Sequence, residues 1–213
     1  MAQATVASKI ERPMQVGRTI DSRQRALGLA VVLLVSFGRF TANALYSTAY
    51  GQPSSDAHQR QWGVAMALMT EATALLLLWF LLSQQGRSWR DIGWNPRWSD
   101  VLSGIALAVI TLPLSLFTTF VFQLIYHGLT GHYLASRSAH GVLGAGISAL
   151  TIVFVLVNPF FEELIVRGYT ISEITGLGRN AGLAVLASVL IQMSYHIYQG
   201  RTRCIGLAVT FTV

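Results

Sequence analysis

A long apolar run that ends in two acids and an arginine is the feature that most constrains this chain. Residues 146–159 are predominantly apolar, and Glu162, Glu163 and Arg167 follow within one or two helical turns. A run of this kind normally lies in lipid, where an ionised carboxylate is costly. The acids are therefore candidates for function, and the fold must explain how they are accommodated.

The composition indicates a membrane protein. Hydrophobic residues make up 53% of the 213 residues and charged residues only 11%, whereas a soluble domain carries about 25% charged residues. The net charge of +6 is best explained by positive loops, and no basic face on a soluble fold is visible, so we expect membrane lipid and no nucleic acid as a partner. The single Cys204 excludes an internal disulfide and a cysteine-rich metal site.

The apolar blocks predict an all-α fold, a polytopic transmembrane helix bundle of about five helices plus the start of a sixth. Residues 1–25 form a basic tail, and residues 26–213 form a single membrane domain. Nine residues from Ile205 to the end are too few to span a bilayer, so we expect a truncated chain or an incomplete last element. The predicted segments are 26–50, 63–82, 101–126, about 142–173, and 181–198.

Basic residues predict the orientation. They place the N-terminus, the tryptophan-rich connector 84–100 and the turn 176–180 on the cytoplasmic side. No cleavable signal peptide is evident, so the first segment is interpreted as a retained helix. His127 and His132 lack a tight metal-binding spacing and are interpreted as residues of the membrane interface.

Arg39 and Glu71 lie at similar distances from the turn between the first two segments. If these segments form a hairpin, the two charges meet at one depth. We expect a structural ion pair, with a role in substrate binding as the alternative.

The fourth and fifth segments form a second predicted hairpin, which turns near Gly178. The spacing brings Glu162, Glu163 and His196 to one depth. A carboxylate and an imidazole in a shielded pocket can activate water, directly or by holding a metal. Because Glu163 and Arg167 are four residues apart, they share a helix face and can pair, which leaves Glu162 as the freer acid. The alternative is a solvated helix end.

Two stretches resemble motifs of the CPBP intramembrane proteases, which include CAAX-prenyl-protease-2-like, bacteriocin-processing and Abi proteins. Glu162-Glu163-Leu164-Ile165-Val166-Arg167 is similar to their E-E-x-x-x-R motif, and Gln192-Met193-Ser194-Tyr195-His196 to their F-x-x-x-H motif. The connector Trp89-Arg90-Asp91-Ile92-Gly93 also resembles the loop that precedes the family's domain. The resemblance covers about residues 87–213.

This resemblance implies an endopeptidase, with Glu162 and His196 activating water and Glu163 and Arg167 in support. The substrate would be a peptide or protein at a bacterial inner membrane. Use of a metal such as zinc is open; Glu162 and His196 would be its ligands.

Two departures from the family pattern leave alternatives open. Gln192 replaces the motif phenylalanine, and a third motif, H-x-x-x-N or H-x-x-x-D, is absent. A catalytically incomplete scaffold or a bacteriocin self-immunity protein is therefore an alternative. A small transporter with Glu71 and Glu162 as ion sites is the weakest alternative.

Overall fold

The fold is a bundle of long apolar helices. The computed structural model describes residues 21–51, 56–132 and 148–197, and every regular element within them is helical. Four helical stretches are long and apolar enough to cross a membrane, which confirms the predicted all-α transmembrane bundle. In chain order the elements are α1 Ser22–Tyr50, α2 Ala57–Gln84, a 3₁₀ helix Trp89–Ile92, α3 Trp98–Thr130, α4 Ala149–Glu162, a π-helix Glu163–Tyr169, α5 Thr170–Gly176 and α6 Ala181–His196.

The first three helices begin earlier or end later than the apolar blocks predicted. The first helix starts at Ser22 because the side chain of Asp21 caps it, so the end of the predicted tail is helical. Polar residues at both ends of α2 and α3 also extend the helices beyond the apolar spans. The predicted start of the fourth segment near residue 142 and the stretch 205–213 lie outside the described residues.

Short polar caps define where the later helices begin. The side chain of Ser148 accepts a hydrogen bond from the Thr151 N–H at 3.2 Å, and the side chain of Asn180 accepts one from the Leu183 N–H at 2.7 Å. Between α5 and α6 the chain turns at Gly178, whose φ of 77° suits glycine. The predicted turn at 176–180 is therefore confirmed.

The core forms where α1, α2, α4 and α6 pack together around the π-helix. α2 packs on α4, and α1 packs on both α2 and α6. Phe37 of α1 stacks on Tyr195 of α6, with ring centroids 4.6 Å apart, and also contacts Phe161 of α4 at 5.6 Å. Within the described residues, α3 makes little contact with these helices and exposes apolar side chains, as a helix facing lipid does.

A buried charge cluster joins three elements at one end of the bundle. Glu173 of α5 is fully buried and pairs with Arg87, which follows α2, and with Arg25 of α1 at 3.7 Å. Arg87 also donates to the hydroxyl of Ser172 at 3.2 Å. The start of α1, the connector and the α5–α6 turn therefore lie at the same end of the bundle.

The tryptophan connector packs directly on the π-helix. Its 3₁₀ helix is capped by Asp91, whose carboxylate accepts from the Ser88 N–H at 2.6 Å and from the Ser88 hydroxyl at 3.0 Å. These two hydrogen bonds lower the pKa of Asp91 below its usual value. Gly168 of the π-helix lies against the backbone of Ile92: a Cβ there would be 2.7 Å from the Ile92 carbonyl oxygen. The glycine thus permits a close approach that holds the connector against the motif.

Candidate functional site

The E-E-x-x-x-R motif lies across a change of helix type. α4 ends at Glu162, and Glu163–Tyr169 continue without a break as a π-helix. The N–H of Thr170 bonds to the Ile165 carbonyl, and the Thr170 hydroxyl donates to the same oxygen at 2.8 Å. π-Helical segments are rare in proteins, and those that do occur are often found at functional sites. Pro159, near the end of α4, is the nearest signal in the sequence, but it did not predict this helix type.

The structure brings Glu162 and His196 together. His196 Nε2 lies 3.8 Å from Glu162 Oε2, and both side chains are largely buried, with 18% and 16% of their surface exposed. Glu162 is the last residue of α4 and His196 is the last residue of α6. Because the two residues lie at similar distances from the turn of the antiparallel hairpin, they reach the same depth in the bundle. An acid and an imidazole thus face each other between helices in an apolar setting.

Two amide side chains also hold the carboxylate of Glu162. Asn158, one turn earlier on α4, donates to Glu162 Oε1 at 2.9 Å. Gln192 of α6 donates to Glu162 Oε2 at 3.4 Å. Sequence reasoning did not single out Asn158, although its spacing of four residues from Glu162 is a usable signal. It treated Gln192 only as a departure from a motif.

Glu163 occupies a different environment from its neighbour. Its side chain is 58% exposed, and its carboxylate pairs with Arg167, whose Nη1 lies 3.1 Å from Glu163 Oε1. The pairing is the one expected from the four-residue spacing. The two adjacent acids are therefore divided: Glu162 faces His196 inside the bundle, and Glu163 lies at the surface with Arg167.

A third acid, Glu71 of α2, lies near Glu162. Its side chain is 1% exposed, and neither carboxylate oxygen has a hydrogen-bond partner among the described residues. The two carboxyl groups are close enough to interact electrostatically.

The predicted ion pair between Arg39 and Glu71 is wrong. Arg39 is exposed, and no ion pair joins it to Glu71. The reason is helical phase: α1 turns Phe37 and Thr41 toward α6, where Thr41 Oγ1 lies 3.1 Å from Ser194 Oγ. Arg39, midway between them in sequence, points away from that face.

An apolar cavity of about 270 Å³ lies where the connector, α2 and α4 meet. Its walls include Trp89 and Trp94 of the connector, Leu75 of α2, and Phe160 of α4. The Trp94 and Phe160 rings meet edge to face, with centroids 6.3 Å apart. Val157, Phe160 and Phe161 line the cavity from one face of α4, and helix periodicity turns Glu162 away from that face.

The donor set for a metal is small in the part of the chain that is described. Glu162 and His196 supply two donors, and no group of three or more His, Cys, Asp or Glu side chains is arranged to hold a metal ion among residues 21–51, 56–132 and 148–197. Structural metal sites usually use four protein ligands and catalytic zinc sites three. The described residues alone therefore do not fit a metal.

The fold and this pair of side chains define a class: a multi-pass integral membrane protein with an acid–histidine site between its helices. Residues 144–213 match the family model for type II CAAX prenyl endopeptidase Rce1-like proteins. The match confirms the predicted resemblance to CAAX-type membrane proteases over the part of the chain that contains both motifs. No curated protein and no solved structure matches the chain.

Proposed function

We propose that this protein is an intramembrane endopeptidase that hydrolyses a peptide bond with water activated by Glu162. The observation that carries the proposal is the buried contact between Glu162 Oε2 and His196 Nε2 at 3.8 Å. The family match over residues 144–213 supports the same reaction class. The catalytic roles of Glu162, Glu163 and His196, and the supporting role of Arg167, are parts of this proposal.

The reaction follows from the chemistry of these groups. The carboxylate of Glu162 takes one proton from a water molecule while the water oxygen attacks the peptide carbonyl carbon. When the C–N bond breaks, Glu162 returns that proton to the leaving amine. His196 orients the water from the other helix, and the amide of Asn158 fixes the carboxylate. Glu163 and Arg167 form an ion pair at the surface. This pair stabilises the π-helical turn that follows Glu162.

The depth of the site favours a substrate within the membrane. Glu162 lies about 16 Å along the helix from Glu173, taking the rise of an ordinary helix. The Glu173 cluster contains two arginines, which suit the headgroup level. Half of a hydrocarbon core is about 15 Å thick, so we place the acid near the centre of the bilayer.

The cavity between the connector, α2 and α4 suits an apolar part of the substrate. Its aromatic walls suit a hydrophobic side chain or a lipid chain attached to the peptide. We further propose a bacterial inner membrane, with the N-terminus, the connector and the α5–α6 turn on the cytoplasmic side. The start of α1, the connector and the α5–α6 turn share one end of the bundle, and the basic residues at this end support its cytoplasmic orientation.

Cleavage of a defined probe tests the proposal. The full-length protein in lipid vesicles is given a fluorogenic peptide that ends in a farnesylated Cys-a-a-X sequence, and the same peptide without the lipid. We expect wild-type protein to cleave at least one probe, and Glu162→Gln and His196→Ala variants to lose cleavage. Equal cleavage by all three proteins contradicts the proposal. No cleavage by any of them favours a non-catalytic scaffold or immunity protein.

A further inference from the structure

The side-chain amide of Asn158 has more hydrogen-bonding capacity than its contact with Glu162 uses. Its Nδ2 donates to Glu162 Oε1 at 2.9 Å. A carboxylate only accepts hydrogen bonds, so it selects the NH₂ end of the amide, and that group carries two hydrogens. One hydrogen holds the carboxylate, which leaves the second for an acceptor on the substrate.

Asn158 lies in the part of the site that a substrate can reach. It is half-buried, and Glu162 keeps 16% of its side chain exposed. Gln192, the other amide beside the acid, is only 5% exposed and lies farther away, with its Nε2 3.4 Å from Glu162 Oε2. Of the two amides, Asn158 is therefore the one that offers a donor at an accessible position.

The main chain around Glu162 is committed to helix. α4 runs into the π-helix without a break, and the N–H of Glu163 bonds to the carbonyl oxygens of Pro159 and Phe160. In a continuous helix the backbone N–H groups are occupied by such bonds. Negative charge develops on a peptide carbonyl oxygen when water attacks it, and donors aimed at that oxygen lower the barrier. At this helical site, such a donor must come from a side chain.

The short contact between the amide and the acid suits this task. A water molecule bound to Glu162 Oε1 lies about 2.8 Å from it, and the carbonyl carbon that the water attacks lies about 3 Å farther on. The carbonyl oxygen is about 1.2 Å from that carbon, and a hydrogen bond of about 2.9 Å joins it to Asn158 Nδ2. These four lengths close into one ring with the 2.9 Å between Nδ2 and Glu162 Oε1. A base and an oxyanion donor within reach of one bond meet the geometric requirement for hydrolysis.

We propose that Asn158 is a catalytic residue that donates its second amide hydrogen to the oxyanion, a role that rests on the proposed hydrolytic function. The water oxygen bonds to the carbonyl carbon, one water proton passes to Glu162, and the π electron pair of the C=O bond moves onto the carbonyl oxygen. Asn158 stabilises the negative charge on that oxygen, while its first hydrogen keeps Glu162 in place. When the C–N bond breaks, the C=O bond reforms and Glu162 returns the proton to the leaving amine. Asn158 itself neither gains nor loses a proton.

Replacing one atom of the probe tests this role. The peptide probe is made in two forms, with oxygen or with sulfur on the carbonyl carbon of the scissile bond, and sulfur is the weaker hydrogen-bond acceptor. Asn158→Leu keeps the branching of the side chain and removes the amide. We expect it to lower kcat on the oxygen probe about 100-fold. The ratio of the oxygen to the sulfur rate should fall about 10-fold, because the lost contact is to the substituted atom.

The ratio distinguishes contact with the oxyanion from an effect through Glu162. A residue that only positions Glu162 would slow both probes equally, and the ratio would not change. Single-turnover reactions with enzyme in excess make the slower sulfur probe measurable.

Asn43→Leu is the matched control, because it makes the same change at an exposed position of α1. It should keep both rates and their ratio. Melting temperatures of the variants show whether each protein is folded. If leucine does not fit, Asn158→Ala removes the amide without adding volume and gives the same comparison.

The outcomes separate this inference from the proposed function. Wild-type cleavage with an unchanged kcat in the Asn158 variant overturns the role of Asn158 and leaves the protease intact. Equal losses on both probes also overturn it, because they indicate a positioning role. No cleavage by the wild type removes both proposals. A fall in kcat together with a smaller oxygen-to-sulfur ratio, in a folded variant, supports donation to the oxyanion.

Discussion

His196 Nε2 lies 3.8 Å from Glu162 Oε2, where the ends of two helices meet inside the bundle. Each residue belongs to a different motif, and the α4–α6 hairpin is what makes them neighbours. The contact also distinguishes the two adjacent acids, since Glu163 is exposed and pairs with Arg167. This difference gives the most direct test of which carboxylate is the base.

Glu162→Gln and Glu163→Gln make the same chemical change at neighbouring positions. We expect Glu162→Gln to lower kcat at least 1,000-fold, because an amide cannot accept the proton of water. Glu163→Gln should lower kcat about 10-fold or less, because it weakens only an exposed ion pair. Steady-state cleavage of the peptide probe measures both effects. A larger loss of kcat in Glu163→Gln than in Glu162→Gln would show that Glu163, and not Glu162, is the base.

Glu71→Met should stabilise the protein. The substitution removes two buried oxygens that have no partner among the described residues, together with the electrostatic interaction between Glu71 and Glu162. A buried polar group without a hydrogen-bond partner costs about 1–3 kcal/mol, so its removal should stabilise the protein by a similar amount. Thermal unfolding in detergent or vesicles should show a higher melting temperature. A lower melting temperature would mean that the carboxyl of Glu71 makes a stabilising interaction.

Glu173→Gln should destabilise the end of the bundle. It leaves Arg25 and Arg87 without the buried carboxylate that joins them. Breaking a buried pair costs about 3–5 kcal/mol, and partial exposure of both arginines favours the lower part of that range. Melting temperature is the measurement, and Glu163→Gln, which breaks an exposed pair, should change it little. Equal melting of the two variants would show that the Glu173 cluster does not stabilise the fold.

Gly168→Ala should separate the connector from the π-helix. The added Cβ would lie 2.7 Å from a backbone oxygen of Ile92, which cannot move aside as a flexible side chain could. Such overpacking costs about 1–3 kcal/mol, so the melting temperature should fall. Gly63→Ala is the matched control, because nothing lies within 4 Å of that Cβ and helical alanine is favoured over glycine by about 0.5–1 kcal/mol. Similar effects of the two substitutions would contradict the close approach at Gly168.

Most of the fold follows from physical rules that the sequence displays. Apolar length predicts the spans, and glycine and asparagine predict the turn at 176–180. Helix rise predicts that Glu162 and His196 reach one depth, and the four-residue spacing predicts the pair of Glu163 with Arg167. These rules depend only on distance along one helix or one hairpin.

The remaining features depend on the rotation of each helix about its axis. Arg39 and Glu71 match in depth, but Phe37 and Thr41 occupy the face of α1 that contacts α6, and Arg39, on another face, is exposed. The Glu173 cluster was missed for the same kind of reason, since its partners come from three elements that are distant in sequence. In a chain with apolar residues on every face of its helices, the pattern does not indicate which face points inward.

The π-helix changes the direction in which Glu173 points relative to Glu162. A widened turn is equivalent to one extra residue in an otherwise regular helix. Deleting one residue within Glu163–Tyr169 would restore the ordinary winding and rotate Glu173 by about 100° relative to Glu162. Glu162 would keep its place opposite His196, but Glu173 would leave the two arginines. The extra residue therefore lets one continuous helix direct Glu162 toward His196 and Glu173 toward Arg25 and Arg87, which regular α-helical winding would not allow.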